Sequence, residues 1–245
     1  MNRRDLIKTS LIAGGSLTAA LQLPARLAAQ PRTGLPRDAK LIEIAKRAQD
    51  QVRARGMLWH EDYVGIADFG LRSSEPRFHS VNLQSGMVKS YYVTHGDGSD
   101  PEHDGWLNWF SNVHGSHCTS EGTYATFGWY TGRFGTSIRL EGLDETNSNA
   151  LDRAIVMHRA RYAEAAHVRR FGRLGRSNGC FAFGDADFKE VLLNIGGGRA
   201  IHAESLGLLP DGTTQPTPTR PAPRDLKILQ PDVPEQFQRS NPGVY

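Results

Sequence analysis

The residues with the most chemistry to offer lie in GRLGRSNGCF, residues 172–181. Cys180 stands there directly after Ser177-Asn178-Gly179, on a loop that also carries Arg173 and Arg176. A thiol kept for packing belongs in an apolar run, where it behaves as a small hydrophobe. A thiol on a polar, glycine-rich bend beside positive charge is set up for thiolate chemistry, because cations favour the charged form. A thiolate nucleophile needs a base to take its proton and donors to hold the oxyanion it creates. His158 ends the apolar run AIVMH and precedes the polar RARY, which makes it the candidate base; a rigid strand behind and an open loop ahead hold a reactive side chain at a pocket mouth. The bend at Ser177, Asn178 and Gly179 gathers N–H groups into one concavity, which suits an oxyanion. Singly, His158 reads as a hydrogen-bonded core histidine and Cys180 as an inert buried thiol. Together, on this loop, they read as a base and its nucleophile. Arg176, Arg159 and Tyr162 are the candidate substrate contacts, Arg176 because guanidinium groups bind carboxylates and Arg159 because its bulk after His158 narrows the entrance. Arg173 reads as a brace for the loop or a solvated charge.

The elements that must position these residues follow from periodicity. In residues 37–56, Leu41, Ile44, Ala45, Ala48 and Val52 share one face, which predicts an amphipathic helix stopped by Gly56. Short stretches rich in β-formers follow: YVGIADF, RFHSVNL and VKSYYVTH, the last two joined by a hairpin turn at QSG, then GTYATFGWYTG, GTSIRLEG, AIVMH and RAIHAE. Two further helices are predicted, a short one at NALDR and one capped by Asp185 that runs through DFKEVLLNI to the glycines at 196–198. Many short strands, frequent glycine turns and few helices predict a mainly β, α+β domain, mostly antiparallel, with small helices on it.

The chain has 245 residues and a formal net charge of +3, too small to argue for nucleic acid. Residues 1–29 read as a signal peptide: a charged start with Arg3-Arg4, a modest apolar run, and small residues at Ala28 and Ala29. The paired arginines favour the twin-arginine route and hence a periplasmic protein. The apolar run is too short and too rich in Gly, Ser and Thr for a membrane span. Residues 30–36 form a linker, 37–205 one catalytic domain, and 206–245 a Pro-, Thr- and Gln-rich tail expected to be disordered. Oligomeric state is not legible.

In an exported protein two cysteines raise a disulfide, and a Cys118–Cys180 bridge would silence Cys180. His95, His103, His114, His117 and Cys118 raise a metal site instead, but no second ordered ligand pair and no H-E-x-x-H pattern accompany them. No phosphate loop or dinucleotide fingerprint is present, so no cofactor is implied.

The order MH…GRLGRSNGC resembles the L,D-transpeptidase catalytic domain of the YkuD-like fold, in the branch described as a murein L,D-transpeptidase catalytic domain family. DFGLRSSEPRFHSVNLQSG, THGDGSDP, TSEGTY, GTSIRLEGLDETN and RAIVMH resemble its pattern in the same order, over roughly residues 40–205. The resemblance implies a YkuD-like β-sandwich or barrel, Cys180 as nucleophile, His158 as general base, Ser177 and Gly179 shaping the loop, and the Cys180 N–H serving the oxyanion. The implied substrate is the stem tetrapeptide of peptidoglycan, joined through a thioester into a 3–3 cross-link. With water as acceptor the same nucleophile gives a carboxypeptidase, and on an existing cross-link an endopeptidase. A non-catalytic cell-wall binding module is the further alternative, against which the intact pair argues. Three positions depart from the pattern. Asn178 stands where the wider family has His and this branch usually Trp, Arg159 replaces Gly after the His, and Cys118 replaces Ser. Cys118 is then either a resolving partner for Cys180 or a small residue filling a loop.

Overall fold

The computed structural model describes residues 35–218 and 220–221. The predicted signal peptide, most of the linker and the tail beyond 221 lie outside the described residues. The first helix, α1 (Pro36–Ala54), starts as its sequence dictates: Pro36 occupies the first turn, and the Asp38 carboxylate accepts the Leu35 N–H at 2.9 Å. Its predicted face of Leu41, Ile44, Ala45, Ala48 and Val52 is buried throughout.

Eight strands follow: β1 (Tyr63–Asp68), β2 (Phe78–Asn82), β3 (Val88–Tyr91), β4 (Gly122–Gly132), β5 (Gly135–Gly142), β6 (Val156–Arg159), β7 (Phe181–Phe183) and β8 (Ala200–Glu204). They form one mixed sheet in the order β3-β2-β1-β8-β4-β5-β6-β7. Five neighbouring pairs are antiparallel, while β1–β8 and β6–β7 are parallel. The fold is thus mainly β with small helices, as its many short strands and glycine turns predict. Alternation along the strands divides the interior in two. Val64, Ile66, Val81, Ala125 and Ala200 meet α1. Phe78, Tyr124, Ile138, Met157, Phe181, Phe183 and Ile201 form the larger core, closed by Phe188, Val191 and Ile195 of α3 (Asp185–Ile195). Burying each of the larger of these side chains contributes about 1.5–3 kcal/mol.

Three local expectations need correction. NALDR is a run of turns, not a helix. There the Asn147 side chain accepts the Asp144 N–H and donates to the Thr123 carbonyl, and Asn112 grips both the N–H and the amide of Asn149. Such side-chain bonds compete with the helical ladder. The residue capping α3 is Gly184; Asp185 is already helical, and its carboxylate pairs with Arg159 at 2.8 Å. A helix not predicted, α2 (Ala165–Phe171), follows the 3-10 turn Arg161–Ala163.

The described residues also run past residue 205. The carboxylate of Asp68, fully buried, accepts the backbone N–H groups of Gly70, Leu206, Gly207 and Leu208, so the start of the predicted tail is folded against β1. Burial raises the Asp68 pKa despite these four bonds. No helix of the described residues is long and apolar enough to cross a membrane.

Candidate active site

The parallel pairing of β6 with β7 brings the two chemistry-bearing residues together. Met157 lies opposite Phe181 and His158 opposite Ala182, so Cys180, one residue before β7, enters at the level of Val156. Ile155, Met157, Phe181 and Phe183 point into the larger core. Side chains alternate along a strand, so Val156, His158, Cys180 and Ala182 face the other way. His158 and Cys180 therefore share a face, one strand and two residues apart, roughly 8 Å between Cα atoms from strand spacing and rise. Ser137 of β5 pairs with His158, and Tyr130 of β4 pairs with Ser137, which extends the same face.

His158 is 1 % exposed, and its ring is covered by Phe134 from the β4–β5 turn, stacked at 4.3 Å between centroids. Its Nδ1 lies 3.0 Å from the Arg159 carbonyl. A carbonyl only accepts, so Nδ1 carries the proton and Nε2 the lone pair. Burial holds the imidazole pKa below its ordinary 6.5, with the Arg159 bond opposing, so the ring is a neutral base at neutral pH. The Cys180 thiol, 8 % exposed, donates to the Ala154 carbonyl at 3.7 Å. Burial pushes its pKa up, against the Val156 N–H and the charge of Arg153. The resting pair is therefore a neutral thiol and a neutral imidazole, not the thiolate that the arginine-bearing loop led one to expect. The loop arginines explain the difference, because their charge is directed elsewhere. Arg176 donates Nη1 to the carbonyls of Asp100 and Pro101, and Arg173 reaches the Phe171 carbonyl.

The loop before Cys180 is held from beneath. Ser177 exchanges backbone bonds with His95 and Asp97, and its hydroxyl lies 2.6 Å from the Cys180 carbonyl, to which it donates. Under this ladder His95 is fully enclosed between Arg77 Nη2 at 2.6 Å from Nδ1 and Asp100 Oδ2 at 3.1 Å from Nε2. A guanidinium cannot accept, so His95 is neutral and donates through Nε2. Burial and then the Arg77 charge lower its pKa to about 4. Burial alone would raise Asp100, but its bonds to His95 and to the N–H groups of Asp104 and Gly105 hold it at about 2.

Gly179 has φ +107°, and a Cβ there would lie 2.6 Å from the Cys118 carbonyl oxygen. Gly179→Ala is expected to cost about 1–3 kcal/mol in urea unfolding; an unshifted midpoint would show that the bend relaxes freely.

The remaining predicted residues divide. Tyr162 packs its Cβ and ring on Gly175, and burial, then the nearby Cys180, push its hydroxyl to about 12. Asn178 is exposed at the loop tip. Arg159 lines a cleft of about 470 Å³ beside His158, with Phe134, Arg161, Glu164 and Asp185. Arg176 is tied to backbone carbonyls of the 97–105 loop, as described above. Residues that sequence reasoning missed are Phe134, Tyr130 and Arg153. Phe134 and Tyr130 lie at the glycines of a hairpin, which signalled only a turn, and Arg153, the first residue of RAIVMH, was given no role of its own.

Both cysteines are free. The Cys118 thiol is fully buried and donates to the Ser116 carbonyl at 3.5 Å, so it fills its own loop. The histidines around it disperse: His117 pairs with Asp97, His103 bonds the Leu174 carbonyl, and His95 is enclosed as above. Among the described residues no group of three or more His, Cys, Asp or Glu side chains converges as a metal site.

Residues 37–203 match the family model described as the L,D-transpeptidase catalytic domain, YkuD_2. The chain belongs to this family. Among solved structures it is similar to an L,D-transpeptidase from Mycobacterium smegmatis (13 % identity, 58 % of this chain and 58 % of that one, TM-score 0.36). It is also similar to an L,D-transpeptidase from Mycobacterium tuberculosis (15 %, 58 % and 57 %, TM-score 0.35). A third is the helical cell shape determining protein Pgp2 of Campylobacter jejuni (12 %, 64 % and 54 %, TM-score 0.34). The match spans less than two thirds of each of these chains. No curated protein matches the sequence.

Proposed function

We propose that this family member is a cysteine-dependent L,D-transpeptidase of peptidoglycan, with Cys180 as nucleophile and His158 as general base. The observation that carries the reading is the tautomer of His158. Its Nδ1–H is tied to the Arg159 carbonyl, which leaves the lone pair on Nε2, and by the strand register its side chain shares a face with the Cys180 thiol. Rotation about χ1 takes the thiol from the Ala154 carbonyl toward Nε2, and the proton passes to His158 as sulfur attacks. The electrophile is the carbonyl carbon at the L-centre of diaminopimelate in a stem tetrapeptide. The backbone N–H of Cys180 holds the resulting oxyanion. Collapse breaks the bond to D-Ala, whose nitrogen leaves with the proton from His158, and a thioester remains. The amine of a second stem then attacks the thioester, gives its proton to His158, and expels the Cys180 thiolate, which recovers the proton. The product is a 3–3 cross-link. Phe134 and the cleft of Arg159, Arg161, Glu164 and Asp185 lie where a stem with amine and carboxylate groups would approach His158. By its N-terminal sequence the protein acts in the periplasm after twin-arginine export.

Incubation of purified protein with tetrapeptide muropeptides, followed by mass spectrometry, tests this. A dimer heavier than two monomers less one D-Ala, or no change at all, would refute it. The expected dimer has the mass of two stems less D-Ala. Release of D-Ala without a dimer would keep the nucleophile and make the enzyme a carboxypeptidase.

A further inference from the structure

Arg153 and Ala154 open the stretch RAIVMH, and the mechanism above assigns them no role, yet they are built around Cys180. Ala154 has φ +54°, a left-handed conformation that costs a residue with a Cβ about 1–2 kcal/mol. Its carbonyl is the one that receives the Cys180 thiol. Strain of this kind persists only where surroundings enforce it, and here the enforcement is visible. The Arg153 and Ala154 N–H groups bond back to the carbonyls of Asn149 and Leu151. The Arg153 guanidinium donates Nη1 to the Ser111 carbonyl at 2.8 Å, and Nη2 to the Cys118 carbonyl at 2.5 Å and the Ser116 hydroxyl at 3.4 Å. The Cys118 carbonyl is the atom on which Gly179 packs. One side chain thus fixes both walls of the thiol's surroundings, the elbow at Ala154 and the bend at Gly179.

Those partners are all neutral oxygens; among the described residues Arg153 has no carboxylate partner. A half-buried cation bonded only to neutral acceptors keeps its charge available for an anion nearby. The groups facing Cys180 are few. Tyr130 from β4 and Tyr162 from the 3-10 turn bring neutral phenols, and burial is the chief cause that raises both. Val156 brings a backbone N–H, His158 a neutral ring, and Arg153 the positive charge.

We propose that Arg153 is the positioning residue of Cys180 and the counter-charge of its thiolate: it clamps the 111–118 loop against Gly179, sets the Ala154 carbonyl on the resting thiol, and stabilises the sulfur anion once His158 takes the proton. The proposal rests on the reading of Cys180 as nucleophile. Its test is the pH profile of Cys180 alkylation by iodoacetamide, followed by peptide mass mapping so that Cys118 is scored separately. Arg153→Gln is expected to move the midpoint up by about one pH unit, which is a tenfold loss of thiolate at a given pH below it. Arg153→Lys keeps the charge and is expected to stay within about half a unit of wild type, although turnover falls because the fork is lost. An unmoved midpoint in natively folded Arg153→Gln, or equal shifts in both variants, would overturn the proposal. If Arg153→Gln does not fold, the lysine variant decides: a full-unit shift there refutes the charge role. Alkylation needs no muropeptide, so an enzyme inactive on stems but shifted by Arg153→Gln sinks the transpeptidase reading alone.

Discussion

Cys180→Ala is expected to lower turnover of stem peptides by about four orders of magnitude or more, because in the proposed reaction this thiol alone forms the thioester. The fold should survive. Cys180 is small, its one thiol bond is a long contact to a carbonyl, and the loop is held by Ser177, Gly179 and the His95 ladder rather than by sulfur. Thermal unfolding within a few degrees of wild type is therefore part of the expected result. Cys118→Ser should keep activity within a few-fold, since a hydroxyl can make the same donation to the Ser116 carbonyl. Substantial product from Cys180→Ala would end the mechanism. The pH dependence follows from the same geometry. Burial depresses the His158 pKa, so kcat/KM should hold steady as pH falls to 6.5 and decline only below it. The basic limb belongs to a thiol whose pKa burial raises. A decline already beginning near pH 7.5 would mean that the ring is not in this environment during turnover.

Much of this arrangement was legible in the chain. The α1 stripe repeats at helical spacing and faces a sheet, and every residue predicted on that face is buried. Strands β1, β2, β4, β5 and β8 carry enough β-branched and aromatic residues between glycine turns to announce themselves. The bend before Cys180 was legible for a physical reason, since Gly179 at φ +107° is a conformation only glycine tolerates well. What escaped was decided by contacts distant in sequence. Phe181–Phe183 is too short to show a period, and it becomes a strand only because β6 lies beside it. NALDR has helical composition, but Asn112, far upstream, captures the N–H and the side-chain amide of its first residue, Asn149. Arg153 matters through carbonyls at 111 and 118, which no local pattern contains. The charges of Arg173 and Arg176 could be read from the sequence but not their direction, which the 97–105 loop and the Phe171 carbonyl determine.

Stability is expected to fall steeply between pH 6.5 and pH 4.5, by on the order of 5 kcal/mol, and two buried histidines are the cause. His79 is fully buried with its Nδ1 on Ser90, and burial, then the nearby Arg37, hold its pKa down at about 3. His95, enclosed between Arg77 and Asp100, is held at about 4. Protonating its Nδ1 would set two donors face to face across 2.6 Å. Both rings titrate near 6.5 in the unfolded chain. Below that value the unfolded state binds more protons than the folded one, so stability declines as pH falls, by about 1.4 kcal/mol per unit for each ring. The decline levels off only as pH reaches the folded values near 4 and 3. Asp68 works in the opposite sense, because burial raises its pKa and the folded state then protonates first. Its four N–H bonds resist that shift; burial raises Glu121, Glu141 and Asp187 in the same sense, while the lowered His158 and His103 add to the decline. A loss of this size is comparable to the whole stability of an ordinary domain. Urea unfolding at pH 7, 5.5 and 4.5 measures it, and His79→Gln, which removes one titrating ring, should flatten the dependence by about one proton's worth. Constant stability across that range, or an unaltered slope in His79→Gln, would show that the buried rings accept protons without opening the fold.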